Sequence, residues 1–420
     1  MVLSSATVPI LGAVDTGVVG QIGTPEPIGA VGLGAMILTS IYWVFGFLRM
    51  GTTGLSSQAL GRGDLAEVSM LLTRALMVAA IAGGAFIVLQ WLWIPLTLAL
   101  SPASPAVEDL THAYMQIRIW SSPAAIAVYG LTGWLVAQER TRQILVIQLA
   151  MNGLNILLDL WFVLGLGWGV QGVAIATFLA EWSGAALGLW MCRDAFQRPD
   201  WRDWARVLDR TRLIQIARVN SDIMIRSMLL QAVFLSFTLF GSKLGDVQLA
   251  ANQVLMQFLM ITSYSLDGFA FASEALVGQA FGAGAVARLR RSVQLCGIWS
   301  GGTAVMLALA FMIFGPGIID VMTTADGVRA SARDYLPWMV AAPIVGFASW
   351  LLDGVFIGAT RSRDMRNMML ISVAVYGAVL AIALPVFGNH GLWAALLIWF
   401  VVRAVTLGLR YPALERAALD

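Results

Sequence analysis

Four side chains, Asp15, Asn155, Asp159 and Thr177, are of the types and spacing that could bind and release a small cation. Asp15 stands in Val-Pro-Ile-Leu-Gly-Ala-Val-Asp-Thr-Gly-Val-Val-Gly, residues 8–20, with no other charged residue before Glu26. A carboxylate that deep in a membrane span costs roughly 2.5–3.5 kcal/mol on insertion scales, so it requires a partner, a proton or a water-filled cavity. Asn155 and Asp159 are spaced i, i+4 and share one helix face, and Thr177 and Glu181 do the same. Asp15 lies nine residues before Thr24, Asp159 eight before Gly167 and Thr177 ten after it, and both reference points are expected in outer loops. At about 1.5 Å per residue, all three sit about 12–15 Å below those loops. Two carboxylates, an amide and a hydroxyl at one level suit Na⁺ or a proton, because neighbouring carboxylates hold a proton or share a cation. The bland reading, in which each polar group bonds a neighbouring helix, has equal weight for Thr177 and Glu181 taken singly.

The elements that position these groups are membrane helices. Of 420 residues, 59% are hydrophobic and only 12% charged, half or less of the charged share of a soluble domain. Twelve apolar runs are expected to span, with cores at 1–20, 28–49, 68–93, 112–136, 144–165, 170–192, 213–240, 247–270, 289–314, 334–357, 366–386 and 391–410. The fold class is therefore an all-α polytopic membrane protein. Arginine follows spans two, four, six, eight, ten and twelve, as Arg62, Arg140, Arg193 to Arg212, Arg288 to Arg291, Arg361 to Arg366, and Arg410 with Arg416. The other loops offer only Lys243, Arg329 and Arg333. The positive-inside rule makes the arginine side and the C-terminus cytoplasmic. The first span begins without a polar flank, and the expectation is that its helix is truncated and the reading frame starts earlier.

The chain repeats itself. Gln58-Ala-Leu-Gly-Arg-Gly63 recurs as Gln279-Ala-Phe-Gly-Ala-Gly284, and Arg140-Thr-Arg142 as Arg361-Ser-Arg363, both 221 residues on. Six spans per half predict two pseudo-symmetric six-helix bundles with one orientation. Residues 1–192 form the first lobe, 193–212 a cytoplasmic linker and 213–420 the second lobe. The linker, RDAFQRPDWRDWARVLDRTR, is expected to be a solvated amphipathic connection, with anionic lipid as a lesser alternative. At the repeat offset Asp15 and Asp159 face Ser236 and Leu380, so the acid pair belongs to the first half alone.

The second half has its own charges in Asp222, Arg226, Asp267, Glu274 and Asp353. Most are expected to form an ion-pair network at the inner end, with Asp267 nearest the midplane and best placed to meet substrate. Glu181, Asp267, Glu274 and Asp353, with Tyr129 and Trp134 as an aromatic lining for a cation, are candidate cavity or gating residues. Arg49, Arg118 and Arg403 are expected to be partners of acids or to snorkel.

Composition also excludes. A net charge of +2 gives no footprint for nucleic acid. Cys192 and Cys296 have no paired spacing, and two scattered histidines, His112 and His390, make neither a metal motif nor a catalytic one. An enzyme is therefore not expected.

Pro9-Ile-Leu-Gly-Ala-Val-Asp15, Gly51-Thr-Thr-Gly-Leu-Ser-Ser-Gln-Ala-Leu-Gly61 and Asn155-Ile-Leu-Leu-Asp159 resemble helix signatures of the multidrug and toxic compound extrusion (MATE) family. Asp222-Ile-Met-Ile-Arg-Ser227, Leu266-Asp-Gly-Phe-Ala270 with Glu274, and Leu352-Asp-Gly-Val-Phe-Ile-Gly-Ala-Thr-Arg361 resemble its DinF-like branch. The resemblance implies twelve helices in two lobes and export of amphipathic or cationic compounds in exchange for H⁺ or Na⁺. It also implies no other cofactor, a monomer in a bacterial inner membrane, and a cation site at Asp15, Asn155, Asp159 and Thr177. A flippase for a lipid-linked precursor, using Arg49, Arg118 and Arg226 on pyrophosphate, and a channel are the rival readings.

Overall fold

The computed structural model describes residue 18 and residues 25–99 and 103–419. Asp15, and with it the expected first span at 1–20, lies outside the described residues. Among those described are eleven helices long and apolar enough to cross a membrane: α1 (Glu26–Gly61), α2 (Leu65–Val88), α3 (Pro105–Ala137), α4 (Thr141–Gly165), α5 (Gly169–Met191), α6 (Arg210–Ser242), α7 (Asp246–Gly282), α8 (Val286–Met322), α9 (Asp326–Gly358), α10 (Ser362–Phe387) and α11 (Asn389–Arg416). They answer to the second to twelfth expected runs, but many reach past the apolar core. α7, for example, extends to Gly282 where the hydrophobic run ends near 270. Hydropathy marks the bilayer, whereas a helix continues into water until a cap or a turn residue stops it.

The stops themselves display the repeat. Gly63 and Gly284, Glu139 and Thr360, and Gly167 and Gly388 all have positive φ, and each pair is 221 residues apart. The hydrogen bonds around them match as well: Arg140 N donates to Leu135 O at 3.0 Å, and Arg361 N to Phe356 O at 2.9 Å. These six-to-one bonds close a helix by turning one residue left-handed. Glycine adopts that backbone freely, whereas Glu139 and Thr360 do so against the preference of a side chain.

The described residues separate into two compact units. One gathers the chain up to Ser56 with Asp64–Leu213, and the other Ser57–Gly63 with Ile214–Asp420. In the first unit, α3 closes on α1 where Gly133 lies under the carbonyl of Arg49, and on α2 where Gly83 lies against the backbone of Pro123. In the second, Phe237, Phe258, Phe356, Trp393, Trp399 and Phe400 are buried to 1% exposure or less. A reciprocal amide pair ties α7 to α11 there, with Asn252 Nδ2 donating to Asn389 Oδ1 at 2.7 Å and Asn389 Nδ2 to Asn252 Oδ1 at 2.9 Å. The indole of Trp393 adds a third bond to Asn252 Oδ1 at 2.9 Å.

The linker keeps most of its residues exposed, but one face of it is docked on the first unit. Arg74, buried on α2, donates Nε to Val207 O at 2.9 Å and Nη2 to Arg206 O at 2.8 Å, while Nη1 pairs with Glu67 at 2.6 Å. Thr73 Oγ1 donates to Trp201 O at 3.1 Å, and Arg140 pairs with both oxygens of Asp194. Ala195 and Val207 are buried. The physical reason is that an arginine held inside a helix bundle must find acceptors. Two backbone carbonyls of the linker supply them, and the segment belongs to the first unit.

Candidate cation site

In the first unit α4 and α5 approach each other along Gly172, Ala176, Ala180, Gly184 and Gly188, a stripe of small buried residues at every fourth position of α5. Small residues at that spacing let membrane helices pack closely. A side chain at Gly172 would touch Phe162 at 3.2 Å, and one at Gly184 would meet Met151 at 2.8 Å. The approach carries polar groups of the two helices together. Asn155 Nδ2 donates to Asp159 Oδ2 at 2.9 Å and lies 3.5 Å from Thr177 Oγ1, whose own proton goes to Val173 O at 3.0 Å. Asp159 is fully buried and Asn155 nearly so, at 0% and 1% exposure.

This arrangement has a definite chemical sense. A carboxylate only accepts hydrogen bonds, so the amide turns its N–H side to Asp159 and its oxygen away. Asn155 Oδ1 is buried with no hydrogen-bond partner among the described residues. An orphaned amide oxygen beside a carboxylate and a hydroxyl is a donor set for a hard cation, and the same carboxylate can take a proton. Immediately after Asp159, residues Leu160–Gly165 wind as a π-helical turn. Phe162 in that turn stacks between Trp161 and Trp168, at 5.5 and 4.9 Å between ring centroids. Such turns widen a helix locally and recur at functional sites.

One turn along α5 from Thr177, Glu181 pairs with Arg118 of α3 at 2.7 Å, and Arg118 also donates to Ser121 at 3.2 Å. Tyr42 and Ser122 join hydroxyls nearby at 2.7 Å. Tyr129 is half-buried, with Glu181 and Arg49 as its charged neighbours. Trp134, expected as cavity lining, is instead packed at 1% exposure with its indole N–H on Val68 O at 2.9 Å.

In the second unit the expected single network is two separate ones. Asp222 pairs with Arg366 at 2.5 Å and accepts from Ser362 at 3.0 Å. Asp353 on α9 is held between Arg226 of α6 and Arg403 of α11, all three buried. Asp267 is half-buried and acts on Arg403, and Glu274 is buried at 1% exposure. At the repeat equivalent of Asp159, Leu380 lies in the apolar core, and at that of Asp15, Ser236 bonds Tyr376 at 3.0 Å.

A repeated helical membrane protein with a buried acid, amide and hydroxyl in one unit is the class that fold and site define. The family model described as MatE matches twice, over residues 1–161 and 223–383, two segments that begin 222 residues apart. The chain belongs to the MATE family of multidrug efflux transporters. It is 38% identical over 414 residues to "DNA damage-inducible protein F" of Escherichia coli (strain K12), covering 97% of this chain and 89% of that one. It is 24% identical to "Probable multidrug resistance protein NorM" of Rhizobium meliloti (strain 1021), over 96% and 89% of the two chains. Among solved structures, an outward-facing multidrug resistance MATE family transporter of the MOP superfamily superposes with TM-score 0.88 at 17% identity, covering 99% of this chain and 94% of that one. The Vibrio cholerae MATE transporter VcmN in the bent form gives TM-score 0.88 at 19% identity, over 100% and 95%.

Arg74 and Glu67 are the paired charges that the sequence reading passes over. An arginine inside the apolar run 68–93 is itself the signal, because it cannot stay there without acceptors.

Proposed function

We propose that this chain is a secondary antiporter of the inner membrane, exporting amphipathic or cationic compounds by alternating access in exchange for H⁺ or Na⁺. It acts as a monomer with its C-terminus cytoplasmic, needs no cofactor beyond the coupling ion and performs no covalent chemistry. Residues 1–192 and 213–420 are its two lobes. The carrying observation is the buried Asn155–Asp159–Thr177 set, with the amide oxygen left over. The family membership and the multidrug-resistance names of relatives support the substrate class.

The coupling follows from hydrogen-bond polarity. Ionised, Asp159 accepts from Asn155 Nδ2. Protonated, it becomes a donor, and its natural acceptor is the unpaired Asn155 Oδ1. Reorienting one amide beside the π-helical turn converts ion occupancy into a change at the α4–α5 contact. With Na⁺ instead, the same reorientation turns that oxygen toward Asp159 and Thr177 Oγ1 to hold the ion. Asp15, at the depth derived for it, completes the set. Tyr129, Glu181, Asp267, Glu274 and Asp353 are the chain's candidate substrate-cavity or gating residues. Arg118 and Arg226, which a flippase would need for pyrophosphate, are each paired to a carboxylate, which favours the antiporter.

The test is counterflow in proteoliposomes under imposed gradients. An outwardly directed proton or sodium gradient, with the vesicle interior acidic or sodium-loaded, should drive uptake of a fluorescent organic cation against its own gradient. Flux with neither gradient, or a conductance without exchange, would contradict the proposal.

A further inference from the structure

The docked linker presents a surface that the transport reading does not use. Between Arg193 and Arg212 it carries four acids, and each is engaged locally. Asp194 pairs with Arg140, Asp200 lies 3.8 Å from Arg206, Asp203 accepts from Arg206 N at 3.3 Å and Asp209 from Arg212 N at 2.9 Å. Arg198, Arg202, Arg210 and Arg212 are exposed and make no ion pair among the described residues. Trp204 and Leu208 are exposed beside them, at 53% and 49%.

The location of this surface is set by its anchor. Arg74 is the tenth residue of α2, about 14 Å along the helix axis from its start. Its two bonds to Val207 O and Arg206 O therefore hold the linker against the first turns of a membrane helix and not out in solution. The last turn of α5 leads into the linker with Trp190 exposed and Arg193 over its ring at 4.5 Å, an aromatic and cationic pair typical of a membrane–water boundary. Unpaired arginines, an exposed indole and an exposed leucine on one segment fixed at that level match an anionic headgroup with the start of its acyl chains. A hydrophilic protein partner would have no use for Trp204 and Leu208 at that height.

We propose that the segment Arg193–Arg212 is a built-in binding surface for anionic phospholipid, with Arg198, Arg202, Arg210 and Arg212 contacting the headgroup phosphates and Trp204 and Leu208 entering the acyl boundary. The test uses the full chain in detergent micelles, titrated with dioleoyl phosphatidylglycerol or dioleoyl phosphatidylcholine, with bound lipid counted by native mass spectrometry. Wild type should hold phosphatidylglycerol about tenfold more tightly, a preference that shrinks with added salt. The variant R198Q/R202Q/R210Q/R212Q should lose that preference while melting at the wild-type temperature in phosphatidylcholine. Arg363→Gln, elsewhere on the arginine-rich side, should keep it. A wild-type chain without the preference, or a quadruple variant that retains it, would overturn the proposal. So would inorganic phosphate at millimolar concentration displacing the lipid completely, because the surface would then be a phosphate site and not a lipid one.

Discussion

At the scale of single residues, the convergence of Asn155, Asp159 and Thr177 was legible because helical periodicity and depth are both countable. An i, i+4 spacing fixes the face, and the distance from Gly167 fixes the level on two consecutive helices. The partners of Asp353 were legible only as types. Three helices, α6, α9 and α11, must pack before Arg226 and Arg403 meet one carboxylate, and no local spacing encodes that. The geometry makes distinct demands at each residue. Replacing Thr177 by Val keeps the shape but removes an oxygen, so ion affinity in a flux titration should fall about tenfold, in line with one lost bond to a charged group. An unchanged affinity would remove Thr177 from the site. Replacing Asp353 by Leu leaves two buried guanidinium groups without their counter-ion, and about 3–5 kcal/mol of stability should be lost. This would appear as a markedly lower melting temperature in detergent. Cys192 is fully buried, and burial pushes its thiol up to about 12. It should therefore resist maleimide at pH 7.5 until the protein is unfolded, because the reactive thiolate is scarce.

At the scale of elements, the helices were legible from hydropathy, but their ends were not. Apolar runs report the bilayer, whereas α1 and α7 continue through polar, buried stretches whose partners lie far off in sequence. The docking of the linker was not legible for a related reason. Its amphipathic composition fits a solvated segment equally well, and only Arg74, about 130 residues earlier, reveals what holds it. Helix ends and crossings give contrasting stability predictions. Glu139 is exposed with φ of 59°, so Glu139→Gly should stabilise by about 1 kcal/mol and raise the melting temperature. Gly133→Ala places a methyl 2.4 Å from the carbonyl oxygen of Arg49, which is backbone and cannot swing aside. It should cost about 1–3 kcal/mol, typical of overpacking. Gly377→Ala, which meets nothing within 4 Å, should instead be neutral or slightly stabilising. A reversed order among these three variants in a melting series would contradict the helix contacts described.

At the scale of the whole molecule, the repeat explains both what is shared and what is not. Three pairs of left-handed residues at a constant offset show that the two halves bend alike. The site breaks that symmetry, since Leu380 is apolar and buried where its counterpart Asp159 is an acid. That asymmetry is compatible with the proposed exchange driven by a single coupling ion. Orientation is testable with single cysteines in a background lacking Cys192 and Cys296. A cysteine at Gly284 should label only from the cytoplasmic side, and one at Lys243 only from the outside; the reverse pattern would invert the topology. The coupling claim itself rests on Asp159. Reconstituted wild type and Asp159→Asn should be compared for gradient-driven uptake of an organic cation, with equilibrium binding of the same cation measured in parallel. The variant should keep the fold and bind the cation, yet show no acceleration when a proton or sodium gradient is imposed. Acceleration equal to that of wild type would contradict the account.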